Sequence, residues 1–363
     1  MINTTNHRDN NFDFLRFIAA LLVIMTHAVV LTGTGIHPLK IFSGNQLRVG
    51  DLAVDVFFTI SGFLITASFL RSQNIKRYLY ARILRIMPAL FFMLITAAFI
   101  VGPIITTLSY KEYMSSSETY TFVCSVFLYT LQYHLPGVIF SDTSLTYPTT
   151  VSVSVWSLPY EFTFYLLIPV FSYFKLLKKE ILLFLFVFVI LCYSFEQTII
   201  PDARSLVLFP NINLSLFLRV SSMFLSGMLF YYYKDVIIYR LEYFLISILL
   251  LIVSCYLGIG LRLLLPICGT YCIFYIAYSP KLKFLNHFGK YGDFSYGMYI
   301  YGAFIQQVVI WFFGGNMNYI LNIIISMPLA IVCGILSWHL VEKKFLALKK
   351  RKLISTKLLA KTA

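Results

Sequence analysis

The stretch FDFLRFIAALLVIMTHAVVLT, residues 12–32, decides the fold class, because it is almost wholly apolar and long enough to cross a lipid bilayer. It carries two ionisable side chains, Arg16 and His27. They lie eleven residues apart, which is roughly three full turns of an α-helix. The sequence therefore predicts that both side chains share one helix face, about 16 Å apart along the axis, with Asp13 placed to pair with Arg16.

An ionisable side chain inside a membrane span indicates a functional site. The simpler interpretations are that Arg16 is an interfacial anchor and that His27 makes a hydrogen bond to a neighbouring helix. Their position on one helix face favours a polar pathway instead.

The composition indicates that the whole chain, and not only its first apolar stretch, belongs to a membrane protein. Of its 363 residues, 59% are hydrophobic and 12% are charged, whereas a soluble domain is about a quarter charged. We predict an all-α, polytopic membrane helix bundle with about ten transmembrane helices. The first apolar run has no cleavage site and is expected to be retained. The candidate spans are 12–32, 52–70, 87–107, 157–174, 180–198, 213–233, 242–261, 263–279, 294–313 and 319–341.

The net charge of +14 is distributed in short basic clusters between apolar runs, which is typical of membrane topology rather than nucleic-acid binding. If the doubtful stretch 120–140 does not cross, nearly all clusters fall on one side. The positive-inside rule then predicts cytoplasmic N- and C-termini and a re-entrant or interfacial segment near 120–155. We predict an integral membrane domain over residues 1–345 and a basic cytoplasmic tail, close to anionic lipid, over residues 346–363.

Two further spans carry charge. Asp51 and Asp55 lie four residues apart, and the deeper Asp55 needs a partner, for which His27 is a candidate. Arg219 also needs an internal partner, which the sequence does not identify. The stretch YGDFSYG, residues 291–297, lacks a catalytic context. All six cysteines lie in apolar stretches without C-x-x-C spacing, so we expect them to pack rather than bind metal.

Two motifs border the membrane. In KRYLYARILRIMP, residues 76–88, Arg82 and Arg85 are predicted to lie on a short cytoplasmic helix that ends at Pro88. They either set topology or bind a phosphorylated ligand. In VWSLPYEFTFYLLIP, residues 155–169, Glu161 lies near Trp156 and Tyr160. This carboxylate either makes a structural hydrogen bond or holds a sugar hydroxyl and acts as a general acid or base.

Seven stretches of the sequence, in the order in which they occur, resemble the membrane-bound acyltransferase 3 family over residues 12 to 345. The matching stretches are FDFLRFIAALLVIMTHA, VDVFFTISGFLI, ARILRIMP, WSLPYEFTFYLLIP, FLSGMLFYY, GDFSYGMYIY and SWHLVEKKF. No single stretch is specific, but the ordered set is.

The resemblance implies roles for particular residues. Arg16 and His27 match the family's pair of arginine and histidine with ten residues between them, whose histidine is considered catalytic. Arg82 and Arg85 match its Arg-x-x-Arg motif, which is associated with the acyl-CoA donor. Glu161 matches the acidic position of its W-[ST]-L-x-x-E motif.

Either Glu161 or Asp55 would orient His27 or the acceptor. Gly302 stands where the family often has a histidine after a late SY-x-x-Y motif, so that position cannot be catalytic here. The soluble esterase-like domain of two-domain members is missing from this sequence, and we expect the membrane domain to act alone or with a partner.

The resemblance therefore implies an O-acetyltransferase of the bacterial inner membrane. Its donor would be acetyl-CoA, with no metal, and its acceptor an extracytoplasmic surface polysaccharide or lipid-linked glycan, with an O-antigen (lipopolysaccharide) sugar favoured. One alternative is a transporter or flippase of a lipid-linked glycan. Another is transfer of acetyl or succinyl to peptidoglycan or a periplasmic glucan. Neither the oligomeric state nor the choice between direct transfer and an acyl-histidine follows from the sequence.

Overall fold

The computed structural model describes residues 10–72, 74–199 and 206–349, and this part of the chain is almost entirely helical. The first helices are α1 (Phe12–Thr32), α2 (Pro38–Phe42), α3 (Val49–Ser72), α4 (Ile75–Ile95), α5 (Gly102–Ile105), α6 (Tyr110–Ser115) and α7 (Ser117–Val123). They are followed by α8 (Leu158–Tyr173), α9 (Lys179–Ile199), α10 (Leu214–Tyr232), α11 (Leu241–Leu257), α12 (Leu261–Leu264), α13 (Thr270–Tyr278), α14 (Ser295–Phe312) and α15 (Tyr319–Ser337). A two-stranded antiparallel hairpin, β1 (Val207–Phe209) and β2 (Ile212–Asn213), precedes α10.

Seven helical stretches in the described residues are long and apolar enough to cross a membrane. They are Phe12–Thr32, Val49–Ser72, Ile75–Ile105, Val153–Tyr173, Leu214–Tyr232, Leu261–Tyr278 and Tyr319–Lys349. The other three predicted spans are also helical, as α9, α11 and α14. These observations confirm the predicted all-α membrane bundle.

The doubtful stretch 120–140 forms no spanning helix. It contains the end of α7, a 3-10 turn at Cys124–Phe127 and irregular backbone. The helix that begins at Tyr319 continues to Lys349, so residues 346–349 of the predicted tail are helical. Residues 350–363 lie outside the described part of the chain.

The prediction that a short helix ends at Pro88 is wrong. Helix α4 continues through this proline to Ile95 and on into a π-helical turn, Thr96–Val101. A proline is tolerated inside a membrane helix when neighbouring groups satisfy the backbone carbonyls that its ring leaves exposed. Two residues before this proline, the Tyr296 hydroxyl donates a hydrogen bond to the carbonyl of Ile86 (2.8 Å), which is not the Leu84 carbonyl that the proline leaves without an intrahelical partner.

The described chain divides into two compact units that alternate along the sequence. The first comprises the residues up to Thr26 together with Gly35–Arg71 and Pro159–Ser295. Its core is an aromatic cluster around Phe12, Phe63 and Phe274, with ring centroids 5.0 Å apart for the latter two. Helices α3 and α10 approach backbone to backbone, because Gly62 lies against the carbonyl of Phe224 and Gly227 against that of Thr59. Small residues allow this close packing in membrane bundles.

The second unit comprises His27–Thr34, Ser72–Leu158 and the residues from Tyr296 onward. Helices α14 and α15 approach closely where Gly297 meets Gly334 and Ser337. The polar segment 141–155 is folded back along α14. The buried amide of Gln307 donates hydrogen bonds to two carbonyls of this segment, those of Tyr147 (2.7 Å) and Thr150 (2.9 Å).

Candidate active site

Arg16 is held between two carboxylates. Its Nη1 lies 3.2 Å from Oδ2 of Asp293 and 3.6 Å from Oδ1 of Asp13. The pair with Asp13 was predicted and is confirmed. Asp293 is the more buried of the two carboxylates, with 14% of its side chain exposed against 43% for Asp13. The Ser295 hydroxyl donates to the other oxygen of Asp293 and fixes its orientation.

Sequence reasoning missed Asp293 because it found no catalytic context in YGDFSYG. One signal was available. A carboxylate at the start of an apolar helix is costly unless a cation pairs with it, and Arg16, near the start of another apolar helix, was a candidate cation besides its local partner Asp13.

His27 lies on the same helix, eleven residues after Arg16, and is half-buried. Because α1 is α-helical throughout Phe12–Thr32, the predicted shared face of these two side chains holds along this helix. The catalytic role of His27 stays a prediction.

Asp55 pairs with Arg219, and its predicted contact with His27 stays a prediction. Oδ2 of Asp55 lies 3.0 Å from Nη2 of Arg219, and Oδ1 of Asp51 lies 3.2 Å from Nη1. Arg48 extends the chain of charges, with its Nε 3.3 Å from Asp51. Asp55 is fully buried and Arg219 nearly so. This pair joins α3 to α10 and supplies the partner for Arg219 that the sequence did not identify.

A second buried pair lies in the same unit. Nη1 of Arg262 lies 3.0 Å from Oε1 of Glu196, which also accepts a hydrogen bond from the Ser215 hydroxyl (2.6 Å). Arg219, Arg262, Asp55 and Tyr193 line a small polar cavity of about 20 Å³. This is room for one water-sized polar group.

Glu161 lies in the first turn of α8. Its Oε1 accepts hydrogen bonds from the hydroxyls of Tyr165 and, at 3.4 Å, Ser61. The predicted neighbour Tyr160 is buried, and its hydroxyl accepts a hydrogen bond from the backbone N–H of Asn213 (2.8 Å). Tyr160 therefore holds the start of α10. Trp156 is half-buried in the 3-10 turn before α8.

Arg82 and Arg85 lie on successive turns of α4, and both are half-buried. Arg82 lies over the ring of Tyr78, 5.8 Å from its centroid. Nη1 of Arg85 lies 2.9 Å from Oε2 of Glu342, a carboxylate that is fully buried. No cluster of His, Cys, Asp and Glu that could hold a metal ion occurs in the described ranges.

These features define a multi-pass membrane protein whose apolar helices contain paired arginines and a half-buried histidine, and ionisable side chains inside such helices indicate a functional site. The model of the acyltransferase domain of the acyltransferase 3 family matches residues 9–339, and the chain belongs to this family. It is an O-acyltransferase.

Two relatives are similar to this chain. An O-acetyl transferase of Shigella phage Sf6 is 30% identical over 355 residues, which cover 96% of this chain and 99% of the relative. Nodulation protein 10 of Rhizobium leguminosarum bv. viciae is 31% identical over 169 residues, covering 46% of this chain and 45% of the relative. No solved structure matches the chain.

Replacement of Arg219 by methionine is expected to destabilise the protein by about 3–5 kcal/mol, because Asp55 is left as a buried carboxylate without its cation. Thermal unfolding in detergent measures this loss. The matched control is Arg48→Met, since Arg48 is half exposed and its pair contributes about 0–1 kcal/mol. The double variant Arg219→Met/Asp55→Leu should recover most of the loss. Equal stability of the Arg219 and Arg48 variants would contradict a buried pair.

Replacement of Asp293 by asparagine is expected to lower acyl transfer about tenfold, because a charge-assisted hydrogen bond to Arg16 is lost. The control is Asp13→Asn, which removes the longer and more exposed contact and should lower transfer no more than about threefold. Initial rates in membranes containing equal amounts of each variant provide the comparison. If the two variants lose the same activity, Asp293 does not hold Arg16 in its working position.

Proposed function

We propose that this protein transfers an acetyl group from acetyl-CoA on the cytoplasmic side to a hydroxyl of an extracytoplasmic surface carbohydrate. The observation that carries the proposal is the placement of His27 on α1, half-buried, three turns from an arginine that is fixed by Asp293. Family membership supports acyl transfer, and similarity to the O-acetyl transferase of Shigella phage Sf6, which aligns over nearly its whole length, supports acetyl as the group.

The proposed reaction needs one base. The acceptor hydroxyl attacks the thioester carbonyl, a C–O bond forms and the C–S bond breaks, and the coenzyme leaves as a thiolate. The imidazole of His27 accepts the hydroxyl proton and passes it to that thiolate. In the alternative route, His27 attacks first and carries the acetyl group until the hydroxyl displaces it. Both routes require His27.

Arg82 and Arg85 are the proposed contacts for the donor. Acetyl-CoA carries several phosphate charges, and guanidinium groups match phosphate oxygens with two hydrogen bonds. Both arginines follow a basic stretch, and the positive-inside rule favours the cytoplasm for that stretch. The protein is accordingly proposed to lie in a bacterial inner membrane with both termini in the cytoplasm.

The proposed acceptor is a sugar of the O-antigen or of another surface polysaccharide. Glu161 supports this proposal, since a carboxylate whose oxygen is oriented by Tyr165 and Ser61 can accept a hydrogen bond from a sugar hydroxyl. Trp156 supplies an aromatic face beside the same motif. Asp55, which pairs with Arg219, is proposed to act through the stability of that helix pair.

His27→Gln is expected to abolish transfer of label from radiolabelled acetyl-CoA to glycan in membranes, because glutamine offers neither a base nor a nucleophile. His134→Gln is the control, since His134 is exposed, precedes the polar segment 141–155 and bonds to Thr149 of that segment (2.9 Å). Label trapped on the wild-type protein before glycan is added would favour the acyl-histidine route. Equal labelling of glycan by wild type and His27→Gln would refute the catalytic proposal, and movement of unmodified lipid-linked glycan without labelling would indicate a flippase.

A further inference from the structure

Glu342 is a buried carboxylate that the proposed reaction leaves without a role. Only 1% of its side chain is exposed. Its Oε2 accepts a hydrogen bond from Nη1 of Arg85 (2.9 Å), and its Oε1 accepts one from the hydroxyl of Ser337 (2.9 Å). Both carboxylate oxygens are therefore engaged within the second unit.

Glu342 lies at the end of a π-helical turn, which positions its side chain toward Arg85. Helix α15 ends at Ser337 and continues as a π-helical turn, Trp338–Glu342. Such turns are rare and are found frequently at functional sites. The extra residue in the turn changes the direction of the side chains that follow, and Glu342 is buried whereas Lys343 and Lys344 after it are exposed.

Arg85 is held on more than one side. Its guanidinium carbon lies 5.6 Å from the ring centroid of Tyr296 and 6.0 Å from that of Trp338. Tyr296 is itself fixed by its hydrogen bond to the carbonyl of Ile86. A carboxylate and two aromatic rings thus define both the position and the plane of this guanidinium.

We propose that Glu342 is a positioning residue, which holds Arg85 ready to bind a phosphate of the coenzyme donor. This inference rests on the proposed function, in which Arg85 contacts acetyl-CoA. A free arginine side chain loses much conformational entropy when it is immobilised, and a side chain already held in place does not lose it on binding. A guanidinium has five N–H donors in a planar fork, and the Nη1 group of Arg85 donates one of them to Glu342.

The proposal separates Arg85 from Arg82. Arg85 is fixed by a buried carboxylate, whereas the contact that places Arg82 is the ring of Tyr78 on the same helix. Removal of Arg85 alone would leave Glu342 buried without its cation, so Arg85→Ala would lose stability together with donor binding. A test must therefore change Glu342 and measure binding.

The experiment measures dissociation constants for CoA and for pantetheine, which lacks the phosphates, with purified full-length protein in detergent. Glu342→Gln keeps the size of the side chain and removes its charge. It is expected to weaken CoA binding about tenfold and to leave pantetheine binding unchanged, because only the phosphates contact Arg85. Glu342→Asp, which keeps the charge, should recover part of the CoA affinity. Arg85→Lys should weaken CoA binding to a similar degree.

Glu180→Gln is the matched control, because Glu180 is an exposed carboxylate paired with Lys179 and its loss should not change either constant. A purely structural role for Glu342 would lower the unfolding temperature and leave the ratio of the two constants unchanged, which would overturn the inference. If Glu342→Gln does not fold, an unchanged ratio in Arg85→Lys overturns it equally, because Arg85 then does not contact the phosphates. Wild-type protein that binds CoA and transfers no acetyl group would refute the proposed function alone, whereas wild-type protein that does not bind CoA would refute both.

Discussion

The structure depends on the pairing of charges inside an apolar helix bundle, and the ion pair between Asp55 and Arg219 illustrates it. Both side chains lie on apolar helices where water does not compensate a charge, so each requires the other. Arg16 with Asp293, Arg262 with Glu196 and Arg85 with Glu342 repeat the arrangement. In each pair the partners come from separate helical elements, or from a helix and the segment that precedes another. The charges therefore specify which elements meet, in a bundle where lipid is as apolar as the helix surfaces.

The pairs also separate two kinds of charge in this protein. Basic residues in the connecting segments follow the charge bias that is typical of membrane topology. Four helical arginines are instead paired with carboxylates that are buried or, for Asp293, half-buried; they are Arg16, Arg85, Arg219 and Arg262. His27 lies half-buried on α1, and its catalytic role stays a prediction.

The fold class and most helices could be predicted from the sequence, because a run of about 20 apolar residues has few alternatives to a membrane helix. The ion pair of Arg16 with Asp13 could also be predicted, since it is local in sequence. The partners Asp293, Asp55 and Glu342 could not be assigned, because helix packing brings together residues far apart in the chain. The predicted helix end at Pro88 was wrong because the local tendency of proline to end a helix is overcome by the packing of the surrounding bundle.

The central claim is that this protein acylates a hydroxyl of a surface carbohydrate. Mass spectrometry of surface glycans tests it most directly, in cells that lack the gene and are complemented with the wild-type chain or with His27→Gln. The account predicts glycan fragments heavier by one acetyl group with the wild-type chain, and their absence in the deletion strain and with His27→Gln. Identical glycan spectra from all three strains would contradict it.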